Sequence, residues 1–197
     1  NNVTAAGGKV LNKAGNLAKK GIVATGLASY FFKTQLLDTA SEFENYEAVL
    51  RVVEGTSAKA RKALTWSSTF AAKTPFELNA ITEAYVKLRT YGLNPTNGLL
   101  QTLGDTSAAM NKPLLQSVEA IADAITGENE RLKDFGIKAR KAGENITYEY
   151  TGKNGKQKEL TINGNNRKDI ENTLKTIWNE KFKGAMIERS KTWSGML

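Results

Sequence analysis

Residues that interrupt helices punctuate this chain at short intervals. Gly55, Gly92, Pro95, Pro113, Gly127 and Gly136 fall between stretches whose apolar side chains recur every three or four positions. A glycine inside a helix costs about 0.8–1.0 kcal/mol relative to alanine, and a proline about 3 kcal/mol. One continuous rod is therefore costly, and the chain is expected to form separate helices that fold back on one another. The predicted class is mainly α, with about six or seven helices and one inserted β-hairpin.

From Thr34 to Glu54, Leu36, Ala40, Phe43, Val49, Leu50 and Val53 form one buried stripe, and Gly55 stops that helix. Thr56 or Ser57 can cap a second helix running through Ala63, Leu64, Trp66 and Phe70 to Lys73. Thr74-Pro75-Phe76-Glu77 then reads as a helix start. Thr74 is the cap, Pro75 occupies the first position, where its missing N–H is harmless, and Glu77 closes a capping box. Its inward face would be Phe76, Ala80, Ile81, Ala84, Tyr85 and Leu88, ending at Gly92 and Pro95.

Further helices are predicted over Leu99 to Met110 and Pro113 to Thr126, the latter with a stripe of Leu114, Val118, Ile121 and Ile125. A short one spans Glu128 to Phe135. After Gly143 the period falls to two, with Ile146, Tyr148 and Tyr150 alternating against Thr147 and Glu149. Asn154-Gly155 supplies the turn of a hairpin between Ile146 and Ile162. A lone hairpin is marginal in water, so one face must lie on the helices. Asn166 caps a last helix through Ile170, Leu174, Ile177 and Trp178 to about Lys181, and its continuation is interrupted by Gly184. These elements divide the chain into a basic arm or first helix (1–33), a helical domain (34–143), the hairpin (144–164) and a C-terminal helical segment (165–197). With no Met at Asn1, and with Ser194-Gly195-Met196-Leu197 closing without a helix-ending pattern, both ends read as cuts in a longer polypeptide.

The composition removes much chemistry. The chain has neither Cys nor His, hence no disulfide, no thiolate or imidazole ligand and no near-neutral proton shuttle. No phosphate-cradling glycine motif, serine-hydrolase elbow or zinc-protease motif occurs. The carboxylate pair Glu119 and Asp123 shares a helix face, and Glu128 and Glu130 crowd the next helix start. The first pair reads as a solvated edge, and acids in a first turn favour the helix dipole. Trp66, Trp178 and Trp193 could stack bases, but two of them fall in helical stripes and read as core. Lys153, Lys156 and Lys158 suit an exposed turn and edge strand. No catalytic, cofactor or metal residue is assigned.

Net charge is +8, unevenly placed: Lys9, Lys13, Lys19, Lys20 and Lys33 form an arm without acids, whereas Asp38, Glu42, Glu44, Glu47 and Glu54 follow against Arg51 alone. Pairing within the chain accounts for this pattern, and nucleic-acid binding is expected to be weak and unspecific. The apolar run from Ile22 to Phe32 falls short of the roughly 20 residues of a membrane span, although residues 10–32 could make weak interfacial contact.

The order of motifs resembles tail tape measure proteins of long-tailed phages and prophages. The segments that carry it are TPFEL at Thr74 to Leu78, LGD at Leu103 to Asp105, ERLKDFGIKA at Glu130 to Ala139 and SKTWSGM at Ser190 to Met196, within a match from about Leu36 to Leu197. The family's long helical repeats are missing from the chain, and its first 35 residues match no motif. The resemblance implies a non-enzymatic structural protein that spans the lumen of the tail tube, templates tube polymerisation, fixes tail length and leaves ahead of the DNA. Its implied partners are the tail tube protein, tail assembly chaperones and tail tip proteins, with self-association possible and no small-molecule substrate. Implied locations are the virion tail, the host cytoplasm during assembly and the host envelope during DNA entry. The alternative reading is a membrane-active or channel-forming element for genome entry, and a peptidoglycan hydrolase role is not expected.

Overall fold

In a computed structural model the described residues are 41–194, with side chains to residue 191. The expected arm (1–33), Leu36 and Ala40, the membrane-contact stretch 10–32 and the Trp193 side chain all lie outside them. The chain divides into two compact units, Asn1–Tyr46 and Glu47–Leu197. Seven α-helices occur among the described residues: α1 (41–54), α2 (Ser57–Ala71), α3 (Leu78–Thr90), α4 (Leu100–Met110), α5 (Leu114–Thr126), α6 (Arg167–Phe182) and α7 (Ala185–Ser194). With them stands an antiparallel sheet in the order β1 (Ile137–Ala142), β2 (Asn145–Thr151), β3 (Gln157–Asn163). The mainly α class predicted from periodicity holds.

The core of the larger unit is built around α5, which packs on α3, α4 and α6. Its predicted stripe, Leu114, Val118, Ile121 and Ile125, is buried. So are Ala120, Ala122 and Ala124, whose small side chains let neighbouring helices approach. Each large apolar side chain taken out of water contributes about 1.5–3 kcal/mol. Local caps behave as read for α2 and α6. The Lys59 amide donates to the Thr56 hydroxyl at 3.3 Å, and the amides of Lys168 and Asp169 donate to the Asn166 side chain.

The predicted capping box at Thr74 does not form. Residues 74–77 are not helical; α3 begins at Leu78, with Glu77 in the cap position making no side-chain bond. The Thr74 hydroxyl is buried without a partner. The reason lies in Phe76, which packs against the core as a loop residue, its ring edge reaching Gly104 on α4. Burying that ring outweighs a cap worth about 1 kcal/mol.

The predicted hairpin is two strands of a three-stranded sheet. β1 pairs with β2 in the register Ile137↔Tyr150 and Ala139↔Tyr148, and β2 pairs with β3 as Ile146↔Ile162 and Tyr148↔Leu160. One face, carrying Ile146, Tyr148 and Tyr150, is buried in the core; the other carries Arg140, which pairs with Glu149 and Glu159. The third strand supplies what an isolated hairpin lacks. In the turn Gly155 takes a positive φ (77°) and Asn154 does not; the Asn154 side chain instead accepts from the Lys156 amide.

Candidate functional site

Helix α4 carries an unusual load of buried polar groups: Thr102, Asp105, Thr106 and Ser107 are all sequestered. Most are satisfied nearby. Thr106 donates to the Thr102 carbonyl at 2.8 Å, and Ser107 donates to the Ser117 hydroxyl of α5 at 2.8 Å. Thr102 reaches further, donating to Asn179 of α6 at 3.0 Å.

Asp105 is different: besides the Gln101 side-chain amide, which donates to Oδ2 at 3.4 Å, its partners lie about eighty positions on. The Gly184 amide donates to Oδ2 and the Met186 amide to Oδ1, each at 3.0 Å, and the carboxylate is 2% exposed. These amides open α7, where the amides of Ile187 and Glu188 already donate to the Gly184 carbonyl. Gly184 thus occupies the cap position of α7 with no side chain of its own, and Asp105 supplies the missing acceptor from another helix. A carboxylate at a helix N-terminus also meets the favourable end of the helix dipole.

Gly104 completes the junction. A Cβ there would come within 2.5 Å of the Met186 sulfur and 3.4 Å of the Phe76 ring. The absent side chain is the space into which Met186, 1% exposed, is seated. Two of the segments that carry the family resemblance therefore meet at one point of α4, TPFEL through Phe76 and LGD through Gly104 and Asp105, joined there by Gly184 and Met186 a few residues ahead of SKTWSGM.

Two hydrogen bonds to a charged acceptor contribute about 1.5–3 kcal/mol each, and burial of Met186 about 1.5–3 kcal/mol.

The acidic pair singled out in the sequence forms a clamp. Glu119 and Asp123 both grip Arg131, at 3.0 and 2.6 Å, and Glu119 also lies 3.8 Å from Lys87. The clamp fixes the short 3-10 turn Glu130–Phe135 to α5. Glu130 pairs with Lys133, and Glu128 is exposed. Trp178 is fully buried with its ring edge-on to Phe135 at 6.0 Å, while half-buried Trp66 stacks on Phe70 at 5.0 Å. Lys153 and Lys156 sit on the exposed turn, but Lys158 ion-pairs with Glu180 of α6 at 2.7 Å. The hydrogen bond between them raises the lysine's pKa and lowers the glutamate's. Among the described residues no group of three or more Asp, Glu, His or Cys is placed to hold a metal ion, and no helix is long and apolar enough to cross a membrane.

Sequence reasoning missed Asp105 and Met186. The signal was a helix start at Gly184 with no capping side chain beside it, which called for an acceptor from elsewhere.

In this arrangement the interior polar groups tie one helix to another, which defines a helical structural module. The chain belongs to the tape measure protein family, whose family model matches residues 34–197. It is thus a structural protein of phage tails. It is also 27% identical over 176 residues to the Mu-like prophage FluMu protein gp42 of Haemophilus influenzae, an alignment covering 82% of this chain and 27% of that protein. The chain therefore corresponds to about a quarter of its relative's length. No solved structure matches it.

Proposed function

We propose that this chain is a folded assembly module of the tape measure, non-catalytic, acting within the tail tube lumen of the virion and in the host cytoplasm during assembly. In this reading the full-length protein fixes tail length, templates tube polymerisation and leaves ahead of the DNA. Its partners are the tail tube protein, the assembly chaperones and the tail tip. The observation that carries the reading is the bond from Asp105 to the start of α7, which closes some eighty residues into one packed unit. A segment built to be read by its length would keep such ends apart.

The test is deletion of residues 74–143 in frame from a full-length tape measure gene, followed by electron microscopy of the tails. A helical rod rises about 1.5 Å per residue, so loss of an extended ruler element should shorten tails by on the order of 100 Å. A folded assembly module predicts missing tails, because the deletion removes α3, α4 and α5 together. Proportional shortening refutes the proposal.

A further inference from the structure

Helix α7 is attached differently from every other helix of the core. It packs on α4, and among its described side chains only Met186 is fully buried; Ile187 stands 54% exposed, with Glu188 and Lys191 in solvent. Its capping acceptor belongs to another helix. The link to α6 is two residues, Lys183 in an extended conformation and Gly184 at a φ of +91°, a left-handed angle that suits a residue without a side chain. Along the seam an open cleft of about 520 Å³ is lined by Ala108, Ala109, Phe182, Lys183, Ala185 and Glu188. An unfilled seam forfeits the close packing that holds the other helices.

We infer that α7 is a releasable strap, which undocks from α4 as a unit, pivoting at Lys183–Gly184, while α2 to α6 and the sheet stay folded. The Asp105 carboxylate and the Gly104 notch sit together at the N-terminal end of α7, so these two contacts are made and lost together. Undocking hands the amides of Gly184 and Met186, and the carboxylate, to water, so none of these three groups is left buried by the break. It uncovers the Gly104–Ala108 face of α4 and frees an amphipathic helix carrying Met186 and Ile187. Segments with few buried contacts are where proteins open locally.

Hydrogen exchange followed by mass spectrometry on the full chain tests this. Amides of residues 187–194 should exchange at least tenfold faster than those of α5 and α6, under conditions where the core stays protected. Asp105→Asn and Gly104→Ala should each speed exchange in α7 at least tenfold further and leave α5 and α6 unchanged. Protection of α7 equal to that of α5 in the parent chain overturns the inference, whether or not the variants fold. So does a variant that accelerates α5, α6 and α7 alike, because α7 is then an integral part of the core.

Discussion

Helices α3 and α7 begin in opposite ways. Ahead of α3 stand a threonine, a proline and a glutamate in the spacing of a complete local cap, and none of them caps it. Ahead of α7 stands a glycine with nothing to offer, and a carboxylate from α4 caps it. The difference is one of which contact is worth more. At α3 a large aromatic ring had somewhere to go, and burying Phe76 shifted the start of the helix past its cap. At α7 there was little apolar surface to bury, so the helix start needed an acceptor, and a distant one served. Helix α3 is held near its C-terminal half: the Tyr85 hydroxyl donates to Glu54 of α1 at 2.9 Å, and Arg89 pairs with the same carboxylate at 2.8 Å.

The largest test of this contrast is Gly104→Leu. A leucine fills the notch and strikes both Met186 and Phe76, and Phe76 cannot swing away as α7 can. Urea unfolding should show a loss of about 2–3 kcal/mol; a loss below about 0.5 kcal/mol would mean the notch closes by easy adjustment. Asp105→Ala should cost less, about 1–2 kcal/mol in the same measurement, because the two orphaned amides of α7 can turn to water instead of staying buried.

The tie at Tyr85 gives a pH test. Burial, reinforced by the bond to Glu54 and its negative charge, pushes the Tyr85 pKa up to about 12, whereas Arg89 pulls the other way. An unfolded tyrosine loses its proton near pH 10, so the folded state binds the proton more tightly over that window. The stability contributed is present below about pH 10 and is lost as pH rises toward 12. Tyr85→Phe should flatten part of this alkaline loss in thermal melts; an unchanged slope would place the loss at Tyr148, whose pKa burial also raises to about 12.

Smaller effects separate the real cap from the unused one. Thr56→Ala, which removes a hydroxyl that caps α2, should cost about 1 kcal/mol. Thr74→Ala with Glu77→Ala should change stability by no more than about 0.5 kcal/mol. If the double variant costs more than Thr56→Ala, α3 depends on a cap after all.

The stripe of α5 was legible because a period of three to four reports burial directly, as at Leu114, Val118, Ile121 and Ile125; the stripe expected ahead of Gly55 was not, since Leu50 is buried but Phe43 and Val49 are exposed. Thr56 and Asn166 were legible because nothing competes with them for their amides. β1 was not: Ile137-Lys138-Ala139-Arg140-Lys141-Ala142 has little intrinsic strand preference, and its pairing partner on β2 supplies the reason to extend. Asp105 was not legible either. A carboxylate inside a helix looks like a solvated side chain until the fold brings two free amides to it, and spacing along the chain holds no record of that meeting.

The bond between Asp105 and Gly184 spans 79 positions. For a molecule under tension, those residues add almost nothing to the distance between points outside the loop, since load passes straight across the junction. Breaking it moves the load onto the packing of α4 against α5 and α6. Only when that packing also gives way does the intervening chain come into series with the load, and fully extended at about 3.3–3.6 Å per residue it would reach some 260–280 Å. The junction therefore acts as the first element of a mechanical shunt, with the packed helices behind it holding the slack.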